Sequence, residues 1–316
     1  MFGFKPYNYE EFTKDVLIKD IALDKFSSPK PGDRAPDFEA RTLEGEKVRL
    51  SYYRGEKNVV LTFGSVTCPF TASSIGGLND LYEDYEGEDV AFLFCYVREA
   101  HPGERLPAHE SMHEKVRAAE LFRNEESVSI PIVVDDLSGS IHKKYGKLPN
   151  STFLIDKSGR VAFRSLWTRP RILRDALDEL LERQEERGVE HAVVHNGQDT
   201  FMPSAKAIIH THRALQRGGR RAIREFRREM GTAGVLTVTG SRVVRPVAKV
   251  VEPVTENPGK TIAFAALGAG IVVGAVFLGR ALRNRRLRQR VPYDIERLGM
   301  PRRTASSPGD YEAVGI

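Results

Sequence analysis

Val59 to Phe70 reads VVLTFGSVTCPF, an apolar run that stops at Gly64 and Ser65 and then sets a cysteine directly before a proline. A strand ending at Gly64-Ser65 and a helix starting near Pro69 would place the Cys68 sulfur at a helix N-terminus. Unsatisfied amide protons and the helix dipole favour the thiolate there, with pKa values of about 3.5–7.5 in such settings. Cys68 is therefore expected to be a nucleophile at neutral pH. Ser65 and Thr67 carry hydroxyls within reach of the sulfur or of a bound oxygen, with helix capping as the other reading of Ser65. Thr71 stands where the second thiol of a redox dithiol would be, which disfavours ordinary disulfide exchange.

The chain has two cysteines and eight histidines in 316 residues. Neither cysteine lies in a Cys-x-x-Cys or metal-ligand spacing, and the histidines form no zinc pattern, so neither a disulfide framework nor a metal site is expected. Cys95 lies inside the apolar run VAFLFCYV and reads as an inert core residue; facing the same edge as Cys68 it could act as a resolving thiol. Glu99 and His101 follow the C-terminal end of that run, the edge where α/β domains set their sites. His101 could hold or relay a proton there and Glu99 could orient its ring. His109, His113 and His142 sit in polar or helical contexts and read as solvated. Arg164 is a weaker candidate for a cation beside the thiolate.

Stepping out from these residues, the elements that must position them alternate between strand and helix. Val59–Phe63 and Val90–Val97 are short, nearly continuous apolar runs, as strands buried on both faces are. Phe70 to Tyr85 has helical spacing at Ile75, Leu78, Leu81 and Tyr82. Ile130–Val134 and Thr152–Ile155 give further strands, and Asp156-Lys157-Ser158-Gly159 turns the last of these into Val161–Phe163. Pro170 opens a strongly amphipathic helix that ends near Gly188. In outline the order is β-α-β-α-β-β-α, an α/β thioredoxin-like fold with a central mixed sheet flanked by helices.

The stretch PGDRAPDFEARTLEGEKVRLSYYRGEKNVVLTFGSVTCPF resembles the opening of the alkyl hydroperoxide reductase/thiol-specific antioxidant (redoxin) branch of that superfamily. Phe63 to Pro69, FGSVTCP, is similar to the active-site motif of iodothyronine deiodinases, with Cys68 where the animal enzymes carry selenocysteine. CYVREAHP sets Glu99, Ala100, His101 and Pro102 where that family has its Glu-Ala-His-Pro element, and YGKLPNSTFLID keeps its spacing from Pro149 to the next strand. The resemblance spans roughly residues 30–185, and two separated motifs in register make it more specific than either alone. It implies a catalytic group of Cys68, Ser65, Thr67, Glu99 and His101, a substrate position lined by Pro69, Phe70 and Pro149, with Pro149 as the candidate cis-proline of such folds, and no cofactor beyond an external thiol reductant such as thioredoxin or a low-molecular-weight thiol. Three readings stay open: a deiodinase-like thiol oxidoreductase, a one-cysteine peroxidase, and a membrane-tethered adaptor without turnover. The peroxidase reading is weakened because Leu61 and Ser65 replace the proline and threonine of the Pro-x-x-x-Thr-x-x-Cys motif.

The remaining chain points to a membrane. Thr261 to Gly279 is 19 residues without a charge, close to the ~20 needed to cross a bilayer core. Lys260 precedes it and six arginines from Arg280 to Arg290 follow. Gly270-x-x-x-Gly274 could let two copies pack as a homodimer. The net charge is +5, its basic excess falling after residue 205. Between Ser204 and Met230, basic residues interleave with apolar ones and Gly218-Gly219 divides the pattern into two helices. That pattern fits an anionic lipid surface or packing on the protein's own domain; no groove-reading pattern points to nucleic acid. The expected organisation is an N-terminal extension (1–29), the redoxin domain (30–187), a basic linker with amphipathic helices (188–260), a single transmembrane helix (261–279), and a tail (280–316) that is basic and then disordered. The arginines after Gly279 favour a cytoplasmic tail, whereas the basic helices and the lack of a leading apolar segment favour a cytoplasmic catalytic domain, the reading adopted here.

Overall fold

A computed structural model of the chain describes residues 7–85, 87–188, 191–194 and 205–244. Helix α1 (Lys14–Ser27) is followed by strands β1 (Glu39–Thr42) and β2 (Lys47–Arg49), then β3 (Asn58–Gly64), α2 (Pro69–Asp84), β4 (Val90–Tyr96), α3 (Met112–Glu126), β5 (Ile132–Val134) and α4 (Ser140–Lys144). Strands β6 (Thr152–Ile155) and β7 (Val161–Ser165) and helix α5 (Pro170–Arg187) close the domain, and α6 (Ala205–Gly218) and α7 (Arg220–Val244) come after it.

Among these residues, seven strands form one sheet in the order β2-β1-β5-β4-β3-β6-β7. The continuous apolar runs became its centre. β3 is buried at every position and pairs in parallel with β4 and antiparallel with β6. β5 runs parallel to β4, and the Asp156 to Gly159 turn joins β6 to β7 as an antiparallel pair. This mixed sheet with helices on it is the thioredoxin-like arrangement expected.

Side chains alternate across the sheet, as pleating requires. Phe92, Phe94 and Tyr96 of β4 pack with Ile75, Leu78 and Leu81 of α2 and with Phe122 of α3. Leu93, Cys95 and Val97 pack on the other face with Phe63, Ile141 and Tyr145. Cys95 therefore faces away from α2, packed in the core as an inert residue would be.

Two features go beyond the sequence reading, and a third takes one of the two alternatives it left open. The β1–β2 hairpin joins the sheet edge through β5 (Arg41 opposite Val134) although its residues carry no apolar run. Residues 7–12 lie against the domain rather than apart from it, with Tyr9 and Phe12 buried. The two basic helices also lie on the domain: α6 packs against α2, and α7 packs against α6, the His212 amide donating to Ser241 Oγ at 3.1 Å. The apolar segment 261–279 and the tail 280–316 lie outside the described residues. Among the described residues, no helix is long and apolar enough to cross a membrane.

Candidate active site

β3 ends at Gly64, and the turn Ser65-Val66-Thr67-Cys68 leads into α2, closed by the Cys68 amide donating to Ser65 O at 3.1 Å. Gly64 is required by space: a Cβ there would lie 2.5 Å from the Phe94 ring and 2.6 Å from Thr71 Oγ1. Cys68 is the N-cap of α2, extended at φ −87° and ψ 119°, with Pro69 at the first helical position. The expected geometry is therefore present, and the sulfur is reached by the Phe70 and Thr71 amides and the Thr71 hydroxyl.

The expected ionisation is not. Cys68 is 1% exposed, and burial, with the nearby Glu99 charge adding to it, pushes its thiol above the ordinary range despite those donors. A helix N-terminus lowers a thiol pKa only when the sulfur is not also stripped of water. In this conformation Cys68 is a protonated thiol at neutral pH.

Ser65 and Thr67 face the loop after β4 and tie the two segments together. Ser65 Oγ accepts the Ala100 amide at 3.1 Å, and Thr67 Oγ1 accepts the His101 amide at 3.1 Å. Thr67 in turn donates its hydroxyl (2.6 Å) and amide (3.2 Å) to Glu99 Oε2. Glu99 Oε1 accepts the Tyr96 hydroxyl and lies 3.3 Å from His109 Nε2. Tyr96 itself accepts the Val66 amide at 3.3 Å. Burial alone would raise the Glu99 carboxyl, but His109, Thr67 and Tyr96 outweigh it and hold it below the usual carboxylate range. The site thus has a buried, ionised carboxylate joined to the turn that carries the thiol.

His101 takes a different environment. It is 6% exposed and lies between Phe12, at 4.4 Å between ring centres, and Phe226 of α7, at 5.4 Å. Its Nδ1 has no hydrogen-bond partner among the described residues. Burial drives its pKa down to about 3, so the ring is neutral. Glu99 does not orient His101; its histidine partner is His109, which the sequence reading had taken as solvated. His142 was also misjudged: it is fully buried, with Nδ1 2.9 Å from the Tyr7 hydroxyl and Nε2 2.8 Å from Leu148 O. His113 is exposed as expected.

Of the candidate substrate-binding residues, Pro69 caps the turn, Phe70 packs on Trp167 at 4.4 Å, and Pro149 O accepts the Thr71 hydroxyl at 3.4 Å. Pro149 stands beside the first turn of α2, but no peptide bond among the described residues is cis, so the expected cis-proline is absent. Arg164 lies on edge strand β7 opposite Phe153, two strands from β3. Arg217 of α6, which the sequence offers only as one of the basic residues of the 204–230 pattern, is buried beside the site: it donates to Val66 O at 3.1 Å and pairs with Glu126 and Glu125 of α3. No grouping of three or more potential metal ligands occurs among the described residues.

A family model described as iodothyronine deiodinase matches residues 9–171. The thyroxine 5-deiodinase of Gallus gallus is 31% identical over 147 residues, 43% of this chain and 56% of that protein. The type I iodothyronine deiodinase of Xenopus laevis is 29% identical over 142 residues, covering 42% and 55% of the two chains. The chain thus aligns with about half the length of these relatives. Among solved structures, a putative protein disulfide isomerase from Bacteroides thetaiotaomicron is similar at 21% identity and a TM-score of 0.41, over 51% of this chain and 95% of that one.

Proposed function

The chain belongs to the iodothyronine deiodinase family, and from that premise we propose that it is a thiol-dependent oxidoreductase that uses Cys68 alone as its nucleophile. The observation that carries this is the placement of Cys68 at the N-cap of α2, on a turn pinned through Thr67 to the ionised Glu99. Substrates are halogenated aromatics, with an iodinated phenol as the class suggested by the names of the relatives. Cys68 gives up its thiol proton and attacks the halogen as the thiolate; the carbon–halogen bond breaks, its electron pair stays with the carbon, and the carbon takes a proton. The halogen stays on sulfur as a sulfenyl halide. A first external thiol displaces halide to give a mixed disulfide and releases its proton. A second thiol releases Cys68 and leaves as the oxidised disulfide, so two electrons pass from thiols to substrate. Thr71 supplies no second sulfur, which is why the reductant must be external.

Glu99 and His109 form the polar reservoir nearest the thiol turn, and Thr67 links them to it. Residues 261–279 anchor the chain to a membrane as a single pass, with the redox domain on the cytoplasmic side; protease protection of the domain in sealed vesicles would reverse that side. The reaction is tested by iodide release from an iodinated phenol with dithiothreitol as reductant. Release that disappears in Cys68→Ser supports the assignment. Rapid consumption of hydrogen peroxide without iodide release would overturn it in favour of a peroxidase.

A further inference from the structure

His101 and the turn that carries Cys68 are braced by elements that the family match does not include. The match ends at residue 171, and α6 and α7 occupy residues 205–244. α6 lies on α2 and reaches the thiol turn through Arg217 and Val66 O. At the turn into α7 the backbones touch: a Cβ on Gly103 would lie 2.1 Å from Gly218 O, and one on Gly218 would lie 2.4 Å from His101 O. α7 then sets Phe226 on His101 and holds residues 12–14 in place, the Phe12 amide donating to Glu225 (3.3 Å) and the Lys14 amide to Glu229 (3.1 Å). Cys68 is 1% exposed, and the hairpin bears on both segments beside it, the turn at Val66 and the loop at His101.

The outer face of the same hairpin is built for a different contact. Arg220, Arg224, Arg227 and Arg228 are exposed and recur at the spacing that places residues on one helix face. The helix kinks at Gly231, where φ is 57°, and then exposes Val235 and Leu236, 47% and 56% accessible. Arginines followed by exposed aliphatics match an anionic headgroup layer and the acyl boundary beneath it. The uncharged segment starts at Thr261, and the sixteen residues between it and α7 span at most about 58 Å when fully extended. α7 therefore stays within reach of the bilayer into which 261–279 is proposed to insert.

We propose that α6–α7 is a membrane-sensing lid: anionic phospholipid headgroups take the arginine stripe of α7, draw the hairpin off the Cys68 turn, and open the site. The inference rests on Cys68 being the reactive centre. Opening readmits water to the sulfur and leaves the α2 amides in place, so the group that is a thiol under the lid ionises once it is lifted.

The test uses the full chain reconstituted in vesicles of phosphatidylcholine alone or of phosphatidylcholine doped with phosphatidylserine. Labelling by N-ethylmaleimide is followed by mass spectrometry of the Cys68 and Cys95 peptides. Cys68 should label faster on the anionic vesicles by on the order of tenfold or more, given four arginines near the surface, while Cys95 stays protected. R220Q/R224Q/R227Q/R228Q should lose that response, and Phe226→Ala should label quickly on both lipids. Equal rates for the wild-type chain on the two lipids would overturn the lid, as would Cys95 labelling in step with Cys68, since that reports unfolding. Lipid-dependent labelling without iodide release would support the lid and count against the redox assignment alone.

Discussion

Glu99 Oε2 accepts two hydrogen bonds from Thr67, one from its amide and one from its hydroxyl, so the residue before the candidate nucleophile is held by a carboxylate from the neighbouring strand's end. That pairing joins the FGSVTCP turn to the EAHP loop, two segments some thirty residues apart in the sequence.

Glu99→Gln keeps the shape and removes the charge that gathers these donors. One amide group then faces Tyr96 or His109 with a donor where an acceptor stood. A loss of about 1–3 kcal/mol in stability is expected, together with slower iodide release, measured by urea unfolding and by turnover. Unchanged turnover would show that the carboxylate has no part in holding the turn.

The Cys68 thiol gives a sign for alkaline conditions. Burial, aided by the Glu99 charge, raises its folded-state pKa. Its stabilising contribution is therefore complete below the unfolded thiol pKa and is lost as pH rises through the higher folded value. Unfolding free energy should fall at alkaline pH in the wild type and fall less in Cys68→Ser. An identical alkaline limb in the two would show that the sulfur is hydrated in the folded protein.

His101 gives the opposite sign. Burial lowers its pKa to about 3, below the ordinary value of about 6.5. Its contribution is present above the unfolded value and disappears as pH falls toward 3. At about 1.4 kcal/mol per unit, this single ring places an acid penalty of several kcal/mol on the folded state. His101→Phe, which keeps an aromatic ring between Phe12 and Phe226, should flatten the acid limb of a pH-dependent melting curve.

What was legible in the sequence and what was not follows from range. β3 and β4 were readable because strands buried on both faces leave no polar positions to break the run, and the Cys68 turn was readable because Gly64, Ser65 and Pro69 are local signals. The β1–β2 hairpin has a mostly exposed pattern and becomes strand only by pairing with β5. His109 and His142 sit among polar neighbours in the chain; their burial is decided by Glu99 in one case and by Tyr7 and Leu148 in the other. The helix-terminal argument for the Cys68 thiolate was correct locally and was reversed by burial and by the Glu99 charge. The apolar faces of α6 and α7 have the same periodicity whether they meet lipid or protein, so the pattern could not choose between them.

Arg217 is the cation that fastens α6 across the site. Its side chain is 1% exposed and pairs with Glu125 and Glu126, the latter 6% exposed. Arg217→Met leaves the α3 carboxylates with the longer contacts from Arg213, at 3.9 and 3.6 Å. Removing one partner of a buried pair costs about 3–5 kcal/mol. A lower urea midpoint is expected, and faster maleimide labelling of Cys68 even on neutral vesicles; a lower midpoint with unaltered labelling would separate this ion pair from the cover over the thiol.

Thr71 decides the class of sulfur chemistry. It lies in the first turn of α2, three residues after Cys68, with its hydroxyl in hydrogen-bond reach of the Cys68 sulfur. A sulfur placed on the same Cβ would face Cys68 in the arrangement of a Cys-x-x-Cys motif at a helix N-terminus. Thr71→Cys should therefore form an internal disulfide on exposure to oxidised glutathione, seen as the loss of two hydrogens in the intact mass and of both maleimide adducts. The same variant should release one equivalent of iodide in a single turnover without any external thiol, because the new thiol displaces halide from the sulfenyl intermediate and leaves a disulfide within the protein. It should also reduce protein disulfides with dithiothreitol, which the wild type, with no second sulfur at that position, should not. Failure of the disulfide to form would show that Thr71 does not present its side chain to Cys68, and the explanation of the external reductant given above would fall with it.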